Sequence, residues 1–258
     1  MQRVSTPAGN TISYDRYGSG PPLVLVHGSF SDHNTNWGFV RSLLTRQFTL
    51  YAVARRGRGE SDRTEGHGIE DEGQDVAAVI RSLDQPVFLL GHSYGAHAAL
   101  VAAAEAQERV QKLVLYEPAW PYVIDAADVA GLEEVALAGD WDRFATKFFH
   151  EKLEVPLELL NELRPTELWA PVVADAEASL QDLRALSRYD FSPERFRGLR
   201  IPVLLQIGAE SPRHLYATDA LAAALPAACI QELKGQAHEA MTSAPKMYAE
   251  CVSRFLLS

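Results

Sequence analysis

The sequence predicts an α/β protein with a mostly parallel central sheet, helices on both faces and an inserted helical lid. Three observations predict it. Short apolar runs at Leu23–Val26, Phe48–Val53, Val87–Leu90, Leu113–Tyr116 and Val203–Ile207 have the length and composition of strands buried on both faces. Helically spaced segments near 37–46, 70–83, 95–106 and 213–224 alternate with those runs, and another near 244–257 closes the chain, which is the order of a parallel sheet with crossover helices. Finally, one long stretch breaks the alternation: residues 121–193 hold several amphipathic pieces rich in Leu, Trp and Phe and no convincing strand.

Ahead of the first apolar run, Thr11 to Tyr17 alternates polar and apolar residues as a half-buried strand does. Ser19-Gly20-Pro21-Pro22 then turns the chain, so an antiparallel edge strand is expected there. Cys229 to Leu233 reads as a last strand. The Ala-rich stretches at 96–106 and 217–228 read as helix formers, not as repeats. The resulting division is a core of residues 1–120 and 194–258 with a lid at 121–193. The aromatic residues Trp141, Phe144, Phe148, Phe149 and Trp169 are expected to form the lid's own core, with some facing a pocket.

A formal net charge of −10 opposes attraction to nucleic-acid phosphates or to anionic lipid, so neither is an expected partner. Arg55, Arg56 and Arg58 make a small basic cluster in a glycine-broken turn, expected to be a solvated loop or structural ion pairs. The two cysteines, Cys229 and Cys251, have no metal or disulfide spacing and are expected to be free thiols. Met1 to Gly9 lacks a signal-peptide pattern and no apolar run is long enough to span a bilayer, which makes the cytoplasm the expected location.

The chemistry concentrates at Gly91-His92-Ser93-Tyr94-Gly95, which joins the apolar run ending at Leu90 to the helical run beginning at Ala96. This is G-x-S-x-G in a strand-turn-helix setting, where small neighbours allow a strained turn that lifts a nucleophilic serine. The helix that follows aims its amides and dipole at the oxygen that gains charge during attack. A serine hydroxyl needs a base within hydrogen-bond reach. Of the eight histidines, His92 and His97 flank the serine too closely, and His33, His67, His150 and His214 are expected at the surface. His238, in the loop after Cys229–Leu233, stands where the carboxyl edge of a last strand delivers a base, in the chain order Ser, acid, His. At the end of the first apolar run, His27-Gly28-Ser29-Phe30 forms a turn, and the backbone amides of Ser29 and Tyr94 are the expected oxyanion donors. His27 itself is read as a structural histidine bonding that loop.

Together His27-Gly28, Gly57-Arg58-Gly59-Glu60-Ser61, Gly91-His92-Ser93-Tyr94-Gly95 and Gly235-Gln236-Ala237-His238 resemble the α/β-hydrolase superfamily over almost the whole chain. The short form with Tyr116-Glu117-Pro118 and Ser211-Pro212 is similar to a bacterial subgroup of esterases, lactonases and haloperoxidase-like hydrolases. Two departures matter. Ala54 stands where the family often has an aspartate, which concerns loop bonding, and Ser211 stands where many relatives place the triad aspartate. The resemblance then implies an acid from elsewhere: Glu117 matches an alternative position used by some members, and Glu210 is its rival. Glu117 is preferred because it directly follows a buried strand at the edge where Ser93 and His238 emerge, with Pro118 restricting the backbone beside it.

These readings predict a serine hydrolase acting on a small carboxylic ester or lactone through an acyl-enzyme, with no metal or organic cofactor implied. Peroxide can replace water at the same acyl-enzyme, so a perhydrolase side reaction stays open, with no residue that selects for it. Two other classes stay open: a ligand-binding sensor with a slow or vestigial triad, and a lyase on the same scaffold.

Overall fold

The computed structural model describes residues 1–258. In chain order the strands are β1 (Gln2–Ser5), β2 (Thr11–Tyr17), β3 (Pro22–Val26), β4 (Thr49–Ala54), β5 (Val87–His92), β6 (Val110–Tyr116), β7 (Val203–Gly208) and β8 (Ala228–Leu233). The helices are α1 (Gly38–Leu44), α2 (Ile69–Ser82), α3 (Tyr94–Glu105), α4 (Ala126–Leu137), α5 (Trp141–Glu151), α6 (Leu157–Leu163), α7 (Trp169–Ser187), α8 (Thr218–Ala224), α9 (Ala240–Ser243) and α10 (Pro245–Leu257). They build one eight-stranded sheet in the order β1-β2-β4-β3-β5-β6-β7-β8, in which β1/β2 and β2/β4 are antiparallel and every other pair is parallel.

The apolar runs follow from a sheet covered on both sides. Along the inner strands, Val24, Val26, Leu89, Leu113 and Leu115 enter one buried cluster with α2, α3 and the inserted helices. Their neighbours Leu23, Leu25, Leu90, Val114 and Tyr116 enter another with α1 and α10. Because side chains alternate faces with period two, both faces must be largely apolar, and only the buried Thr49 and Gln206 interrupt the runs.

β2 is not the edge strand expected of it. Gln2–Ser5 pairs antiparallel along its other side, in the register Gln2 to Tyr14 through Ser5 to Thr11. At four residues, mostly exposed, β1 carries too little apolar periodicity to read from sequence. The stretch near 213–224 also divides, into one 3-10 turn at Arg213–Leu215 and the shorter α8.

Helices α4 to α7 are inserted between β6 and β7. Asp125 and Asp140 cap the first two, accepting from the amides of Asp128 and Arg143. Phe144, Phe148 and Trp169 are buried, and Trp141 and Phe149 are packed partly buried against them. The insertion meets the core through Phe30, whose ring stacks on Phe148 at 5.0 Å between centroids and also touches Phe144 and Phe149. No helix is long and apolar enough to cross a membrane. Cys229 and Cys251 are free thiols.

Candidate active site

The site lies at the carboxyl edge of the parallel strands, where β3, β5, β6 and β7 end in turns. β5 passes into α3 through Ser93, whose backbone is held at φ 54° and ψ −123°, a left-handed conformation that a residue with a side chain adopts only when its surroundings impose it. The imposing contacts are visible. A Cβ on Gly95 would lie 2.2 Å from the His27 carbonyl oxygen, and one on Gly28 would lie 3.1 Å from the Ser93 Cβ, so the turns after β3 and β5 are pressed together and only glycine fits between them. The Ser93 amide donates to the Tyr116 carbonyl at 2.9 Å, tying the turn to the end of β6.

One residue further along β6, Glu117 is fully buried with φ 46°. Proline next in sequence disfavours a helical backbone at this position, but the chain leaves the strand here in the left-handed region. Its carboxylate is held at both oxygens: Oε1 accepts from the Gly208 amide at 2.7 Å, and Oε2 accepts from His238 Nδ1 at 2.5 Å. Pairing at Nδ1 leaves Nε2 as the ring nitrogen without a hydrogen-bond partner in the protein. The ring is 19% exposed, so it meets both the protein interior and solvent. Burial alone would favour its neutral form, but the hydrogen bond and charge of Glu117, with a contribution from Glu239, outweigh burial and raise its pKa above the ordinary imidazole value.

Two aromatic neighbours frame His238. Tyr216 stacks on it with centroids 5.3 Å apart and planes 18° apart. His92, next to Ser93, lies 4.6 Å away between centroids, and its Nε2 is 3.0 Å from the His238 carbonyl oxygen. Burial, reinforced by the nearby His238 ring, pushes the His92 pKa well down. The Tyr116 hydroxyl binds the Ala237 carbonyl and accepts from the Ala240 amide, anchoring both sides of the loop.

Ser93, Glu117 and His238 are thus brought to one edge, linked by the turn hydrogen bonds just described. Glu210 is exposed, and no side-chain hydrogen bond joins it to His238. The Ser211 hydroxyl is buried with no partner. The Ser29 amide donates to no protein acceptor, and Tyr94 opens α3, where its amide is one of the helix's unpaired donors. His27 is wholly buried, donating from Nδ1 to the Gly28 carbonyl at 2.8 Å and accepting at Nε2 from the Arg55 amide at 3.3 Å.

One expectation needs correction and another is narrowed. His33 and His67 are buried, not at the surface: His33 lies 3.4 Å from Asp15, and His67 lies 3.1 Å from Glu72, while His150 and His214 are exposed as expected. Of the two readings of the arginine cluster, the structure bears out structural ion pairs and excludes a solvated loop: Arg55, Arg56 and Arg58 are 2%, 7% and 4% exposed and each is paired. Asp182 of α7 accepts from Arg55 at 2.6 Å, from Arg58 at 2.8 Å and from the Ser29 hydroxyl at 2.8 Å. It lies on the same face of α7 as Ser179, which accepts from the Phe30 amide at 2.6 Å, and Asp175, which pairs with Arg58. Burial works against an Asp182 charge, but the two guanidiniums hold its pKa far below the usual carboxylate range. Sequence reasoning missed this role. The signal available was the spacing of Asp175, Ser179 and Asp182, one polar stripe at helical period set against arginines without an assigned partner.

Comparison with known proteins gives a consistent picture. A curated relative, 2-(acetamidomethylene)succinate hydrolase of Mesorhizobium japonicum, is 29% identical over 219 residues, 78% of this chain and 75% of that one. N-formylmaleamate deformylase of Pseudomonas putida is 39% identical over a shorter match, 41% of this chain and 40% of that one. Among solved structures, an alpha/beta hydrolase from Sphaerobacter thermophilus superposes with a TM-score of 0.84 at 30% identity, covering 99% of this chain and 100% of that one. The enol-lactonase from Burkholderia xenovorans shares the fold at a TM-score of 0.81 and 20% identity, with all of both chains covered. The pattern of the alpha/beta hydrolase family matches residues 23–250, and with the sheet order, the strained serine turn and the inserted helices already in place, this chain belongs to that family.

Proposed function

We propose that this hydrolase cleaves a small carboxylic ester or lactone by a Ser-His-Glu mechanism. The observation that carries the reading is the buried Glu117 carboxylate bonded to His238 Nδ1 at 2.5 Å, on the edge where the strained Ser93 turn emerges. In this mechanism His238 Nε2 takes the Ser93 proton as Oγ attacks the substrate carbonyl. The oxyanion is met by the Ser29 and Tyr94 amides. Collapse of the intermediate passes the proton to the leaving oxygen and leaves an acyl-enzyme. Water, deprotonated by the same ring, then attacks the acyl carbon, and the acid leaves as Ser93 regains its proton. Glu117 fixes the ring tautomer and stabilises its cation without moving a proton itself. Residues 1–120 and 194–258 act as the core, and 121–193 as the lid that shapes the apolar side of the site.

A second reading keeps the machinery and exchanges the ester for a carboxylic amide. It is favoured by the two curated relatives, whose names, 2-(acetamidomethylene)succinate hydrolase and N-formylmaleamate deformylase, refer to amide substrates. A fluorophosphonate probe followed by peptide mapping tests the shared machinery, with label expected on Ser93 and lost in Ser93→Ala. A panel of matched esters, lactones and amides then separates the two readings. Turnover unchanged in Ser93→Ala would overturn both.

A further inference from the structure

We infer that Arg55 is a positioning residue for the oxyanion site, acting through the peptide bond between Gly28 and Ser29. The inference rests on the assignment of the Ser29 amide as an oxyanion donor. A trans peptide is planar, so its carbonyl and its N–H point in opposite directions, and whatever fixes the Gly28 oxygen also aims the Ser29 hydrogen. That oxygen is tightly held. The Arg55 guanidinium donates to it at 2.9 Å, His27 Nδ1 donates at 2.8 Å, and the Ser31 hydroxyl lies at 3.3 Å.

The same guanidinium donates through Nε to the preceding carbonyl, that of His27, at 2.9 Å, while the Gly28 amide between them donates to Asn36 Oδ1 at 2.9 Å. The His27–Gly28 peptide is therefore held at both its carbonyl and its amide, the Gly28–Ser29 peptide is held at its carbonyl, and the Ser29 amide is the group left over. A cation on the carbonyl side also polarises the peptide, which makes its N–H a stronger donor toward developing negative charge than a neutral partner would.

Arg55 reaches the other donor residue as well. Its guanidinium carbon lies 4.5 Å over the centroid of the Tyr94 ring, and the Tyr94 hydroxyl donates to Glu72 at 3.0 Å, the carboxylate that also pairs with Arg55 at 2.8 Å. Asp182 closes the arrangement from α7, binding both terminal nitrogens of Arg55 at 3.0 and 2.6 Å and the Ser29 hydroxyl at 2.8 Å. One buried cation thus binds the carbonyl of the peptide that carries one proposed donor and packs on the ring of the residue that carries the other, and it is supported by a helix of the insertion. Arg56, one residue on, provides a contrast: it is buried and paired with Asp75 at 2.5 Å, but its contacts run to Asp75 and Thr64 and none goes to the His27–Ser29 turn.

The test compares Arg55→Met, Arg55→Lys and Arg56→Met in the full chain. It uses p-nitrophenyl acetate turnover, inhibition by a trifluoromethyl ketone that adds to the serine as a hemiketal, and thermal unfolding. Arg55→Met is expected to lower kcat by about 100-fold or more with KM changed less than about threefold, and to weaken the ketone in proportion to kcat/KM. Arg55→Lys should fall between it and the native enzyme, since an ammonium keeps the charge but loses the planar fork. Arg56→Met should lower the melting temperature while holding kcat within about threefold in the folded protein. If Arg55→Met does not fold, the lysine variant carries the test through the same paired loss of kcat and ketone affinity. Native kcat and ketone affinity in the folded Arg55 variants, or an equal kcat loss in Arg56→Met, overturn the inference. Ser93→Ala separates the two levels. If it is inactive while the Arg55 variants are native, this inference alone fails; if it is fully active, the hydrolase reading beneath it fails.

Discussion

The Glu117 carboxylate binds His238 Nδ1 at 2.5 Å through one oxygen and the Gly208 amide at 2.7 Å through the other, so the acid partner of the imidazole is itself clamped between β6 and β7. A carboxylate fixed in this way cannot swing to other partners, and the histidine ring inherits its position.

Glu117→Gln keeps the side-chain shape and removes the charge. It is expected to reduce kcat about 10³- to 10⁴-fold, with a much smaller change in KM, because the orienting and cation-stabilising roles act in the transition state. Glu210→Gln, at an exposed loop position, should stay within about threefold of native turnover. Steady-state kinetics on one ester, with folding checked by circular dichroism, decide the matter; the opposite ranking would move the acid role to Glu210.

In the proposed mechanism the base must be neutral to accept the serine proton. Since Glu117 raises the His238 pKa, the acidic limb of kcat/KM should have its midpoint above the ordinary imidazole value of about 6.5, with activity rising as pH increases through it. In Glu117→Gln the favourable charge is gone and burial remains, so the limb of the residual activity should move to lower pH. A pH–rate profile of both proteins checks this, and a limb that stays in place would show that a different group governs it.

Gly95→Ala tests the contact between the turns after β3 and β5. Its new Cβ would sit 2.2 Å from the His27 carbonyl oxygen and 2.6 Å from that of Val26, where backbone and not a flexible side chain must yield. The expected result is a loss of at least about 1–3 kcal/mol in urea unfolding, with turnover falling further than stability alone explains because Ser93 shifts with the turn. A fully stable and active Gly95→Ala would mean that the two turns have room to separate.

Asp182→Ala leaves Arg55 and Arg58 buried without their shared partner. Breaking a buried ion pair from one side costs about 3–5 kcal/mol, so a sharply lower melting temperature is expected. Asp182→Asn, which keeps an acceptor for the Ser29 hydroxyl, should lose less. Differential scanning calorimetry of the two variants provides the check, and near-native melting of Asp182→Ala would contradict the buried network.

Local chemistry made much of this protein legible from its sequence. Strands buried on both faces must be largely apolar, so β3 to β7 each carry a short apolar run in place of a polar alternation; the serine turn demands glycine on both sides, so Gly91-His92-Ser93-Tyr94-Gly95 announces itself. What sequence left open was every choice that depends on distant residues meeting. Glu117 and Glu210 are both carboxylates near strand ends, and only folding, which places Glu117 against a histidine 121 positions away and leaves Glu210 exposed, distinguishes them. The arginines at 55 and 58 read equally as solvated charges or as ion pairs without a named partner until α7, 124 to 127 residues further along, brings Asp182 into their reach. Periodicity records which face of an element is buried, but it carries no information about which element covers that face, and a buried ion pair is decided by that second fact alone.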